Sequence, residues 1–234
     1  MVTTPVFLLL LQLGQPEIVA STDLPDSWLA APVSGVATPV ERSEFLRVRP
    51  IVQNEFKRYP QGVLSHLTRV QVVKGINFFG QPYGGTNSND TVYLAVDGIA
   101  NGYTALYIST SFHHELSSIL LRKFPKYLDQ KAWSQTLPKG FSYSSSGVSA
   151  IAQGKASTAV DPRLAAQGFL SQYSQSAQEE DFNVIAQNLF LGGKGFWEVV
   201  DKYPSMSAKV KLVINFYNRL DSSFTESSFR KAAS

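Results

Sequence analysis

Phe112-His113-His114-Glu115-Leu116-Ser117-Ser118-Ile119-Leu120 is the stretch on which the reading of this chain turns. Phe112, Leu116, Ile119 and Leu120 recur at helical spacing, so the segment is predicted to be a helix with one apolar side. His114, Glu115 and Ser118 fall together on an adjacent face, because residues three and four apart are helical neighbours. The pattern is one residue short of H-E-x-x-H, in which two imidazoles bind Zn²⁺ and the glutamate between them activates water. Ser118 stands where the second imidazole belongs, and its neutral hydroxyl is a poor zinc ligand. Adjacent helical positions point about 100° apart, so His113 and His114 are not expected to hold one ion together. One of the two is expected to be structural.

Outward from this helix the periodicity gives a coarse map. The helix is expected to start near Ser111 and to end before Pro125, with a short strand over residues 104–109. Before it, residues 43–59 read as a helix that Pro50 should kink or split. Residues 70–76 and 91–96 read as strands, joined by a polar loop over residues 80–90 that is dense in turn formers. After it comes a Gly/Ser-rich loop at residues 141–154. The C-terminal third reads as helical. Ser176 and Glu179 have the form of a capping box ahead of a core stripe of Phe182, Ile185, Ala186 and Leu189. A short helix is expected near residues 196–201 and a last one near 207–220. Strands with one early helix, followed by helices, indicate an α+β fold.

The 234 residues, with 44% hydrophobic content, suffice for one compact domain. Residues 20–39 are rich in Pro, Ser, Thr and Ala, so residues 1–40 read as a leader or linker and residues 41–234 as the domain. The apolar run over residues 5–13 resembles the core of a secretory signal but has no basic residue before it, so a buried strand or arm is an equal reading. The 21 basic and 18 acidic side chains are scattered, and a nucleic-acid partner is not expected without a concentrated basic patch. Cysteine is absent, which excludes disulfides, thiolate ligands and a thiol nucleophile. Any metal must therefore be held by carboxylates and by His66, His113 or His114. The acidic run Glu179-Glu180-Asp181 opens a later helix. Glu180 and Asp181 are the better ligand candidates there, since Glu179 is equally explained by the helix dipole.

Residues 112–121 resemble the signature region of zinc-binding metallopeptidases called substrate import-associated zinc metallohydrolase lipoproteins, from Gram-negative bacteria. Members read H-E-F-x-H-I-L, and this chain matches the His, the Glu and the trailing Ile-Leu. Trp133, the segment Gly168-Phe169-Leu170-Ser171-Gln172-Tyr173-Ser174, Glu180-Asp181-Phe182 and residues 209–217 resemble further segments of the family in the same order. The resemblance spans roughly residues 41–220. It implies a zincin-like fold, with a small mixed sheet on the active-site helix and a mostly helical C-terminal half. It also implies export to the periplasm or outer membrane, and association with polymer uptake. The chain departs from the family at Ser118 and in having no lipobox cysteine.

Two functions are expected from these residues, with a purely structural envelope protein as a third. In the first, a zinc-dependent hydrolase acts on a peptide or other polymer, with Glu115 as general base. There His114 with Glu180 or Asp181 holds the metal, and His113, Ser118 or Glu179 is recruited as a further ligand. In the second, a non-catalytic descendant binds a peptide, a glycan or an outer-membrane uptake receptor. There His113, Ser117 and Ser118 form a hydrogen-bonded replacement for the metal.

Overall fold

A computed structural model describes residues 14–143 and 147–232 of the chain; the apolar run at residues 5–13 and the serines at 144–146 lie outside the described residues. Two compact units are present, Met1–Phe112 and His113–Ser234.

The first unit holds two sheets. Its strands are β1 (Glu17–Ala20), β2 (Val36–Thr38), β3 (Arg69–Val73), β4 (Gly75–Phe78), β5 (Gln81–Tyr83), β6 (Gly85–Asn87) and β7 (Thr91–Ala95). A mixed four-stranded sheet has the order β1-β3-β7-β6, with β1, β3 and β7 parallel and β6 antiparallel to β7. Val70, Val72, Val73, Val92 and Leu94 are all buried, which is why β7 reads as a nearly continuous apolar run; β3 is interrupted by Gln71, which is buried too and donates to the Asp23 carbonyl at 2.7 Å. A second, antiparallel sheet has the order β2-β4-β5. Its inner face joins Ile76 and Phe78 to Val73, Tyr93 and Ala95, with Trp28 from helix α1 (Asp26–Leu29) packed edge-on against Phe78 at 5.3 Å.

Several expectations are corrected here. The stretch read as leader or linker contributes β1 and β2, which pair with β3 and β4. The loop over residues 80–90 contains β5 and β6. Helix α2 (Arg42–Phe56) runs unbroken past Pro50, and helix α3 (Gln61–Leu64) follows it. Pro50 sits on the exposed side of α2, so the ring and the missing donor meet water rather than a packed neighbour. Residues 105–109 are helical rather than a strand. Helix α4 runs Ala105–Lys123, and Thr104 caps it by accepting a hydrogen bond from the Tyr107 N–H at 3.2 Å. That cap overrides the short β-like alternation.

The second unit begins inside α4, at His113. It continues through α5 (Gln130–Gln135), α6 (Gly147–Ala152), α7 (Pro162–Ala165), α8 (Gln178–Leu191), α9 (Gly193–Lys202), α10 (Pro204–Leu220) and α11 (Glu226–Ala232). Part of the Gly/Ser-rich stretch is thus helical, in α6. Phe141 packs against Phe169 with centroids 4.6 Å apart. The capping box does not form. Ala177 occupies the N-cap, the Ser176 hydroxyl donates instead to the Tyr173 carbonyl at 2.7 Å, and Glu179 pairs with Arg122 at 2.7 Å. The core of this unit is aromatic: Phe182 meets Phe216 at 5.0 Å, and Phe190 meets Tyr217 and Phe229 at 5.5 and 5.3 Å. Among the described residues no helix is long and apolar enough to cross a membrane.

Pro50 in an exposed helix interior carries a penalty that alanine would not. Pro50→Ala is expected to raise stability by roughly 1–2 kcal/mol, less than the full helix-interior difference because the unfolded chain also gains freedom. Urea denaturation followed by circular dichroism checks this.

Candidate functional site

Helices α4 and α8 face each other through polar side chains. On α4 these are His114, Ser117 and Ser118; on α8 they are Glu180, Asn183 and Gln187, spaced three and four apart so that they share one face. His114 Nδ1 donates to Gln187 Oε1 at 2.9 Å, and Nε2 lies 3.0 Å from Glu180 Oε2. The Ser117 hydroxyl lies 2.6 Å from Asn183 Oδ1 and 2.7 Å from the His114 carbonyl. Asn183 Nδ2 donates to Ser118 Oγ at 2.7 Å. Ser117, Ser118, Asn183 and Gln187 are all buried, so each bond replaces one that water would otherwise supply.

The His114 side chain is 12% exposed and that of Glu180 16%. Burial opposes the imidazolium, but the Glu180 carboxylate outweighs it, and with help from Glu115 and Gln187 it raises His114 to about 9. The residue is therefore a buried cation at neutral pH. Tyr173 stacks on its ring at 5.9 Å. The Gly147 backbone approaches so closely that a methyl there would overlap the Glu180 carboxylate and the Tyr173 hydroxyl.

The remaining candidates are placed elsewhere. His113 is fully buried and stacks on Phe190 at 4.5 Å, which makes it the structural one of the two histidines. Glu115 is half-buried, next in the chain to His114. Glu179 pairs with Arg122.

Asp181 does not join Glu180. It is fully buried against Lys209 at 2.7 Å and accepts from the Tyr143 hydroxyl at 2.7 Å, which in turn accepts from Trp133 Nε1 at 3.0 Å. Lys209 also donates to the Gly168 carbonyl and lies over the Phe169 ring at 4.3 Å. Burial pushes Asp181 up to about 6 against the pull of Lys209, and pushes Lys209 down.

A zinc hydrolase needs three protein ligands and an open fourth position. Of the candidates, His114 and Glu180 are brought together, and among the described residues no group of three His, Cys, Asp or Glu is placed to hold an ion. Both His114 nitrogens have protein partners, Ser118 is committed to Asn183, and Asp181 to Lys209. The donor set does not fit zinc. Asn183, Gln187, Tyr173, Tyr143 and Lys209 were not singled out as site residues from sequence. The polar spacing of Glu180, Asn183 and Gln187 beside the apolar stripe of α8 was a legible signal for the first two.

No known family profile matches the chain, and no curated protein does. In fold it is similar to a solved structure from Bacteroides caccae, a protein proposed to be a zinc-binding metallo-peptidase. The TM-score is 0.60 at 15% identity, over 94% of this chain and 84% of that one.

A histidine raised from 6.5 to about 9 stabilises the fold fully below pH 6.5, and the contribution is lost as pH rises through 9. The loss is expected to approach about 3 kcal/mol, an upper value because the group keeps some water contact. Urea midpoints at pH 6 and above pH 9 should differ accordingly, and His114→Gln should flatten the profile. Lys209→Ala strands a buried carboxylate and is expected to cost about 3–5 kcal/mol, whereas Lys209→Met with Asp181→Leu should cost far less.

Proposed function

We propose that this chain is a zincin-like domain that has exchanged its metal for a hydrogen-bonded helix pair and that works by binding rather than by hydrolysis. The observation that carries this reading is the Asn183 to Ser118 bond at 2.7 Å. It lies at the position where H-E-x-x-H would put a second imidazole, and it leaves neither side chain available to an ion. His114, bound through both nitrogens, completes the replacement. The ligand is a peptide or other polymer, or an outer-membrane uptake receptor, in an exported, envelope-associated setting. The support for ligand and setting is the resemblance carried by residues 112–121, 168–174 and 180–182.

A second reading keeps the hydrolase. It is favoured by the 3.0 Å approach of His114 Nε2 to Glu180 Oε2, with Gln187 fixing the other nitrogen as a partner of a metal-bound imidazole would. There Glu115 would act as the base. It is weaker because two protein ligands bind zinc far less tightly than three.

Zinc separates the two. Protein purified with zinc supplied is expected to hold no stoichiometric metal by elemental analysis, and added zinc should leave its melting temperature unmoved. Casein should be cleaved no faster than by Glu115→Gln. One zinc per chain retained through dialysis, or Glu115-dependent cleavage, would overturn the binding reading. Ser118→His with Asn183→Ala should restore the third ligand and tighten zinc binding by on the order of 100-fold or more.

A further inference from the structure

The second sheet of the first unit has no charge on it. Residues 27–40 and 75–89, which supply β2, β4, β5 and their connections, contain no Asp, Glu, Lys, Arg or His. At the 17% charged content of the whole chain, stretches of that combined length would carry about five charged side chains. Charge has been excluded from both faces and not merely from the core.

The inner face buries Ile76 and Phe78. On the outer face the register places Val36 opposite Asn77, and Asn77 opposite Pro82. Val36 is 60% exposed, and Pro32, Pro39 and Pro82 are exposed around it. At the end of the sheet the β4–β5 hairpin turns through Phe79 and Gly80, both at positive φ, 53° and 74°. A two-residue turn of this kind favours Asn, Asp or Gly at its first position, because a bulky side chain resists positive φ. Phe79 occupies it nonetheless and is 48% exposed. Backbone strain and a half-exposed aromatic ring coincide at one residue, a combination that points to a contact made by that ring.

The charge gradient along the hairpin identifies the contact. Lys74 precedes β4, five residues from the tip, which is about 17 Å along an extended strand. An apolar side chain seated at the headgroup–acyl boundary reaches about 5–10 Å deep, so Phe79 and Val36 can enter while Lys74 stays in water. A tip with no charged side chain escapes the largest desolvation cost of entering lipid, and its polar groups, the amides of Asn77 and Gln81, stay at headgroup level. It also lacks the charged side chains that commonly rim the apolar centre of a protein interface.

We propose that the β4–β5 hairpin, led by Phe79 and flanked by Val36, dips into the surface of a lipid bilayer and holds this chain there peripherally. The contact is independent of the His114 site.

The full chain should co-float with phosphatidylcholine vesicles equally well at physiological ionic strength and in roughly 1 M salt, where ionic contacts are screened. Phe79→Asn suits the turn, so its melting temperature should be unchanged or raised while vesicle partition falls about tenfold. Phe79→Trp should keep the partition and shift its emission to the blue on vesicle addition. The proposal is overturned if neutral vesicles do not retain the protein, if retention needs anionic lipid and disappears in salt, or if Phe79→Asn partitions normally. It is overturned equally if sedimentation shows a dimer that Phe79→Asn dissolves, since the tip would then meet a second copy.

Discussion

A buried imidazole with two nitrogens must find two partners, and the arrangement of α4 against α8 follows from that requirement. Gln187 takes one nitrogen of His114 and Glu180 the other, which sets the helices in register over two turns. Asn183 lies between them on the same face, and its amide closes on Ser117 and Ser118. A polar strip of this kind stabilises only when every member is satisfied, because each unpaired group at this depth costs about 1–3 kcal/mol. Register, rotamers and protonation state are therefore fixed together. His114 is charged because Glu180 is there, and Glu180 is held because His114 is charged.

The same economy separates two neighbours in sequence. Glu180 and Asp181 differ by one step of about 100° on α8, enough to send them to opposite fates. Glu180 faces His114 at the rim. Asp181 turns inward to a lysine enclosed by Trp133 and Phe169, with the Tyr143 hydroxyl on the same carboxylate oxygen. A run of three acidic residues read as one cluster is three separate interactions: an ion pair with Arg122, a pair with an imidazolium, and a buried pair with Lys209. No ion is needed to explain any of them.

Much of the architecture was legible because apolar period reports burial directly. The parallel strands β3 and β7, the apolar side of α4 and the core stripe of α8 were all visible as runs or helical spacings. Short elements were not. β1, β2, β5 and β6 each span three or four residues, too few for a period to emerge, and they exist because a neighbouring strand supplies their hydrogen bonds. The start of α4 was missed for a local reason, since the Thr104 cap competes with a β-like pattern and wins. The capping box at Ser176 was expected from spacing alone and lost to a turn in which that hydroxyl serves Tyr173 instead.

Sequence by itself determined that this chain is α+β, that no thiol chemistry is open to it, and that residue 118 is not the second imidazole of H-E-x-x-H. Composition and residue identity decide those points wherever the side chains end up. Which histidine is structural, which acidic residue meets His114, and what fills the place of the second imidazole were decided only by tertiary structure. Those answers depend on the rotation of α8 about its axis. That rotation is set jointly by the aromatic core on one side and the polar strip on the other, and neither is encoded in any local stretch of the chain.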